Sequence, residues 1–257
     1  MKILFIGDIY AQQGRKVLAG HLNRLAETTA CDFIIANGEN MSGGKGIDTR
    51  TADEILKLGV DAITSGNHIW AKKDFFIDEH PRVLRPANYS GKSPGKGLIF
   101  IEKGDNVLAV VNLSGRVYMD PCNCPFEAFE NMLPELKART KAILVDFHGE
   151  ATSEKAAFAW HFDGNVSVVV GTHTHVQTAD ERILPFGTGF ITDVGMTGPA
   201  DGIIGADREK VIRRFVTGMP AYFEPQKGRS QINGILMEVC GKTGKCISLE
   251  RIDYVED

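Results

Sequence analysis

Val166-Ser167-Val168-Val169-Val170-Gly171-Thr172-His173-Thr174-His175 is the stretch from which the rest of the chain can be read. Its β-branched apolar run has the length and composition of a buried strand. The strand breaks at Gly171, and two imidazoles follow at i and i+2. In extended backbone alternate residues share a face, so His173 and His175 are expected to point the same way, toward one ion or an adjacent pair. An isolated His-x-His also occurs as a solvated loop. The other strand ends of the chain decide against that reading.

Outward from this stretch, strand-like and helix-like segments alternate, the pattern of an α/β layered fold. Ile3 to Gly7 reads as the first strand, with Asp8 just past it. Arg15 to Thr28 sets Val17, Leu18, Leu22, Leu25 and Ala26 on one helical face. Asp32 to Asn37 is a second strand running into Gly38-Glu39-Asn40. A Gly-rich loop, Ser42 to Gly46, leads to a helix near Thr49 to Leu58. Ala62 to Ser65 delivers Gly66-Asn67-His68. Gly97 to Lys103 and Val107 to Leu113 form a hairpin about Gly104-Asp105-Asn106. A helix over Phe126 to Lys137 precedes the strand Ala142 to Phe147, which ends at His148-Gly149-Glu150. Another helix, Ser153 to Trp160, leads into the Val166 strand. Strands over Gly189 to Asp193, Gly234 to Val239 and Cys246 to Arg251 complete the pattern, the last two as a hairpin. No repeat or linker interrupts residues 1–257, so a single domain is expected.

The 257 residues are 43% hydrophobic and 24% charged, an ordinary globular composition. A net charge of −4 argues against a broad footprint for long nucleic acid. It leaves room for a small phosphate ester, because bound metal ions add local positive charge. No apolar run is long enough to span a membrane. Met1 to Asp8 reads as a strand and not as a signal peptide, which places the protein in the cytoplasm. Five cysteines without a CxxC pair fit reduced thiols, Cys122 and Cys124 being the one close pair. Phe75, Phe76, Tyr118, Met119 and Phe126 to Phe129 put apolar side chains in irregular or marginal segments. They either cover sheet edges of the same chain or join copies into a homo-oligomer.

Five strand ends thus carry ligand-type residues: Asp8, Glu39-Asn40, Asn67-His68, His148 and His173/His175. Each alone has a plain structural explanation, such as a helix cap for Asp8 or a turn residue for Asn67. Together they fit a site just beyond the carboxyl ends of strands in an α/β sheet. Carboxylate, carboxamide and imidazole suit Fe(II), Mn(II) or Zn(II) better than calcium. The donors suffice for two ions, with Glu39 suited to bridge them, as in two-metal hydrolases.

Gly7-Asp8, Gly66-Asn67-His68, His148 and Gly171-Thr172-His173-Thr174-His175 resemble, in the same order, the blocks of the calcineurin-like metallophosphoesterases. Two departures stand out: Tyr10 replaces the histidine of the usual D-x-H block, and Gly38-Glu39-Asn40 replaces a Gly-Asp block. Both fit one branch, the YmdB-like family of 2′,3′-cyclic-nucleotide phosphodiesterases, which the chain resembles throughout. Ala36 to Asn40, Asn112 to Arg116, Asp146 to Lys155 and Val169 to Pro199 carry that likeness, with Gly149 where alanine is usual.

The resemblance implies a layered β-sandwich flanked by helices, with its metal site at the C-terminal ends of strands. It implies one ion held by Asp8, Glu39, Asn40 and His175, and a second held by Glu39, Asn67, His148 and His173. His68 is implied as the proton donor. The implied reaction is hydrolysis of a 2′,3′-cyclic nucleotide to a nucleoside monophosphate by a hydroxide bridging the ions. The family also points toward a homo-oligomer. Gly43-Gly44-Lys45-Gly46 can offer backbone N–H groups to a phosphate or serve as a flexible connection. A metallo-β-lactamase-like hydrolase is set aside because Gln177-Thr178 stand where its Asp-His pair belongs. A phosphomonoesterase or broad phosphodiesterase of the same fold is the nearest alternative. A metal-stabilised regulatory protein is the more distant one.

Overall fold

The computed structural model describes residues 1–73 and 75–256. Among these, thirteen strands and five α-helices follow the chain as β1 (Lys2–Ile6), β2 (Asp8–Ile9), α1 (Ala11–Thr29), β3 (Phe33–Asn37), α2 (Thr49–Lys57) and β4 (Ala62–Thr64). After a single 3₁₀ turn at Ile77–Glu79 come β5 (Leu98–Lys103), β6 (Asn106–Ser114), α3 (Pro125–Arg139), β7 (Ala142–His148) and α4 (Thr152–His161). The remainder is β8 (Val168–Thr172), β9 (Arg182–Ile183), β10 (Gly189–Ile191), β11 (Met196–Pro199), α5 (Arg208–Thr217), β12 (Ser230–Val239) and β13 (Cys246–Val255).

These strands form two sheets. One runs β2-β11-β12-β1-β3-β4 with β13 paired to β12, and the other runs β5-β6-β7-β8-β10-β9. Side chains alternate across each sheet, and both faces of each are apolar. Ile3 and Phe5 of β1 meet Leu108, Val110, Leu144, Val168 and Val170 of the opposite sheet in a central layer. Leu4 and Ile6, one residue out of phase, pack instead against Val17, Leu18 and Leu22 of α1 and Ile55 of α2. On the far side, Val111, Val145 and Phe147 cover Phe129 of α3 and Phe158 of α4. The result is a helix–sheet–sheet–helix stack, the expected α/β sandwich flanked by helices.

In the first sheet β1, β3 and β4 run parallel, as do β6, β7, β8 and β10 in the second. Their carboxyl ends lie at one rim, where polar side chains replace the apolar filling. Asn112 of β6 accepts from Ser65 N at 3.1 Å and donates to Ser65 O at 3.0 Å, tying β6 to the residue just beyond β4. Both expected hairpins are present: β5 pairs with β6 and β12 with β13, antiparallel in each case.

Two short parallel partners, β2 and β11, and the helix α5 went unread in the sequence. On α5 only Val211 is buried, so its pattern lacks a continuous apolar stripe. Of the apolar residues in irregular segments, Phe75 and Phe129 are buried within the chain and Phe126 packs against their neighbours. Phe76 and Tyr118 are exposed. Among the described residues no helix is long and apolar enough to cross a membrane.

Candidate metal centre

The rim brings together all eight residues singled out in the sequence. His148, the last residue of β7, is fully buried, and three atoms converge on its Nε2. These are Glu39 Oε1 at 3.1 Å, Asn67 Oδ1 at 3.2 Å and His173 Nδ1 at 3.0 Å. Glu39 also accepts from the His68 N–H through Oε2, at 3.2 Å. Asp8 accepts from the His173 N–H through Oδ2, at 3.0 Å, while its buried Oδ1 has no partner among the described residues. Asn40 Nδ2 lies 3.1 Å from Glu39 Oε1 and 3.0 Å from His175 Nε2.

Local backbone explains how a short sequence achieves this crowding. A Cβ on Gly66 would stand 2.2 Å from His148 Cδ2 and 2.3 Å from Glu39 Oε2, so only glycine lets the chain pass. His173 and His175 do not sit in extended backbone, as their spacing suggests; both have positive φ, 106° and 65°. The i, i+2 alternation therefore does not aim them. A sharp left-handed loop does, and non-glycine residues hold such conformations only where the surroundings over-determine them. Asn67 and His68 also lie in a turn, 67–70, and not in extended chain.

The donor set fits a cation. One imidazole N–H cannot serve the carboxylate, the amide oxygen and the second imidazole that surround His148 Nε2, whereas a metal ion satisfies all of them. Each histidine is also oriented by its other ring nitrogen. His148 Nδ1 meets Thr172 Oγ1 at 2.8 Å, and that hydroxyl donates to Asp146 Oδ1 at 2.7 Å. With its proton committed to Asp146, Thr172 must accept from Nδ1–H, which leaves the Nε2 lone pair for the site. His173 Nε2 pairs with Glu150 Oε2 at 3.2 Å, freeing Nδ1. His175 Nδ1 donates to Ile204 O at 2.8 Å, freeing Nε2. Asn40 departs from the ligand role: it presents its NH₂ to both neighbours, and a half-turn of the amide would bring Oδ1 to the cation instead.

Electrostatics agree. Burial raises Asp8 well above the usual carboxylate range, with His148 opposing the shift and Glu39 adding to it. Glu39 suffers the same burial, but His148 beside it outweighs this and holds its carboxyl well below its usual value. Burial disfavours charge on His148 too, yet Glu39, Asp8 and Asp146 push it up to about 9. His173, half-buried and next to His148, falls to about 3. So much unresolved charge in a dry cluster is the state a divalent cation relieves. Among the described residues, Glu39, His148 and His173 form a group with the mutual spacing of metal ligands.

The supporting residues were missed in the sequence. Asp146 is fully buried and accepts from Asn37 Nδ2 at 2.9 Å, Thr64 Oγ1 at 2.5 Å and Thr172. Lys155 of α4, also fully buried, donates to Thr172 O at 2.8 Å and Asp193 Oδ2 at 2.9 Å. The same Asp193 oxygen accepts from the Thr174 N–H at 3.0 Å, so one ion pair clamps the histidine loop on both sides of His173. The available signal was a charge inside an apolar strand run, Asp146, and a lysine on the buried face of a helix.

A two-sheet α/β sandwich with carboxylate, amide and imidazole donors gathered at one rim defines the metallophosphoesterase class of hydrolases. Within it the chain belongs to the YmdB-like protein family, whose sequence profile matches residues 4–252. It is 46% identical over 259 residues to a 2′,3′-cyclic-nucleotide 2′-phosphodiesterase of Bacillus subtilis (strain 168), covering 100% of this chain and 98% of the relative. Among solved structures, a hypothetical protein from Thermus thermophilus superposes with a TM-score of 0.94 at 40% identity, covering 100% of both chains. A novel phosphatase from Mycoplasma pneumoniae gives 0.93 at 37% identity, covering 100% of this chain and 94% of that one.

Proposed function

We propose that the protein, acting as one domain, hydrolyses 2′,3′-cyclic nucleotides to nucleoside monophosphates with two divalent ions, Fe(II) or Mn(II) before Zn(II). The observation that carries this reading is the 46% identity, over the whole chain, with the Bacillus subtilis phosphodiesterase. One ion would be held by Asp8, Glu39, Asn40 and His175, the other by Glu39, Asn67, His148 and His173. When bound, such ions supply an activated water and polarise the phosphoryl oxygens.

The chain's own residues supply the rest. Glu39, Asn40, His68, His173 and His175 open onto a cavity of about 440 Å³ that Tyr10, Gly44, Glu150 and Phe223 also line. The phosphate is seated there, with its ribose oxygens turned toward His68. Burial lowers the proton affinity of His68, Lys45 adds to that, and Glu39 opposes it. An arriving anionic substrate raises it again, so the proton is held best when it is needed. As the P–O bond to one ribose oxygen breaks and the water oxygen bonds to phosphorus, His68 passes its proton to the departing oxygen.

The test compares turnover of 2′,3′-cyclic AMP, 3′,5′-cyclic AMP and p-nitrophenyl phosphate by protein reconstituted anaerobically with Mn(II) or Fe(II). Elemental analysis of the same sample counts the ions. The 2′,3′-cyclic diester should be cleaved fastest, with two ions per chain. A preference for the monoester would make the protein a phosphatase, and a single ion per chain would remove the two-metal assignment.

A further inference from the structure

The turn that delivers Asn67 and His68 contributes to two cavities. His68 lines the one described above, and Asn67 lines a second of about 560 Å³ together with Trp70, Tyr89, Ser90, Ser93 and Asn123. The turn is closed by Ile69 N–H to Gly66 O at 3.3 Å and Ala71 N–H to His68 O at 2.9 Å. Ile69 is fully buried and anchors it, while the next residue, Trp70, is 39% exposed. The same backbone bend therefore places a metal-ligand candidate, a proton-donor candidate and an open indole within four residues.

Trp70 makes no hydrogen bond and stacks on no ring among the described residues. Tyr89, in the same lining, is half-buried against the core, and burial pushes its phenol up to about 12. The cavity thus has a fixed aromatic wall, an unengaged indole, and hydroxyl and amide groups of Ser90, Ser93 and Asn123 around it. An aromatic surface with hydrogen-bonding groups nearby is what a nucleobase requires: its flat face stacks and its edge is bonded. The other cavity offers Phe223, but its ring already lies under the guanidinium of Arg214, 5.2 Å from the centroid.

We infer that the Trp70 cavity is the nucleobase subsite, with the base stacked on the indole. The inference rests on the proposed function, since a 2′,3′-cyclic phosphate held at the metal centre carries its base on the same ribose ring. In this arrangement the phosphate lies at the Asn67–His68 turn and the base enters the cavity that Asn67 also lines.

Kinetics and fluorescence test this separately from the activity itself. Trp70→Ala should raise KM for 2′,3′-cyclic AMP and lower its kcat/KM, relative to that for base-free ethylene phosphate, roughly five- to hundredfold, as loss of base stacking does. Phe223→Ala should change the ratio little. The chain has two tryptophans, so Trp160→Phe leaves Trp70 as the reporter. In that reconstituted protein, adenosine 3′-phosphate should alter the emission and inorganic phosphate should not. Equal losses on both esters with Trp70→Ala, a loss that follows Phe223 instead, or an inhibitory nucleotide that leaves the emission unchanged would overturn the subsite. If the wild type cleaves no 2′,3′-cyclic nucleotide, the proposed reaction falls. The emission response to adenosine 3′-phosphate then still upholds or overturns the subsite.

Discussion

The two halves of the candidate metal centre are held in different ways. On the His148 side the central donor is set by the sheets. His148 ends β7, its Nδ1 is locked through Thr172 to Asp146, and its partner strand β8 supplies that threonine in register, His148 opposite Thr172. On the His175 side Asp8 stands in the two-residue strand β2, and the other donors hang on loops. His175 occupies left-handed backbone, Asn40 turns its NH₂ inward, and Asp8 Oδ1 lacks a partner among the described residues. The His148 half has one donor preorganised by a hydrogen-bond ladder that exists without any ion. The other has no such ladder, His175 being oriented by a single bond to Ile204 O.

The largest way to break this division is to cut the clamp that spans it. Lys155→Met leaves the Asp193 carboxylate buried without its cation and frees Thr172 O. Breaking such a pair costs about 3–5 kcal/mol, which urea unfolding should register, and Lys155→Met with Asp193→Leu should recover part of it. A loss below about 1 kcal/mol would show that the clamp is not structural.

Next in size is His68→Gln, whose side chain belongs to neither half's donor set. It should lower kcat by roughly 10²–10⁴-fold, the range of general acid catalysis, with ion content intact. The loss should shrink for a nitrophenolate leaving group, which departs without protonation. Loss of metal, or equal slowing of both substrates, would make His68 a ligand or binding residue.

A smaller effect sharpens the comparison itself. Asp146→Asn disturbs only the sheet-held side and should weaken metal retention about 10- to 100-fold, as outer-shell changes at metal sites do. Asn40→Ala should affect only the loop-held ion. Competition with a chelator, read by the metal content that survives, would separate two ions of unequal affinity from one shared loss.

The smallest effect is in pH. In metal-free protein His148 is raised to about 9 and is protonated at neutrality, whereas His173, lowered to about 3, is already neutral. Metal uptake must displace the His148 proton, so affinity on that side should rise with pH and level off near 9. The same raised value stabilises the metal-free fold below its unfolded pKa of about 6.5, and that contribution is lost as pH rises through 9. Calorimetry of metal binding in buffers of different ionisation enthalpy should show proton release at pH 7 that fades above pH 9.

The residues that could hold metal were legible from sequence because chemistry restricts them to a few types. A small-residue break after each apolar run marked where they would gather: Asp8, Glu39-Asn40, Asn67-His68, His148 and His173/His175. The alternation of strand and helix likewise announced an α/β layered fold, since each element's apolar pattern is a local property. Tertiary structure decided the rest. Whether His173 and His175 converge depends on positive φ imposed by contacts from Asp8 and Asp193, distant in sequence, and not on their spacing. Asp146 and Lys155 acquire meaning only when β7, β8 and α4 are in register, because a buried charge is tolerated only where its partners are delivered by other elements. Donor identity is written residue by residue. Donor orientation belongs to a network that does not exist until the two sheets meet.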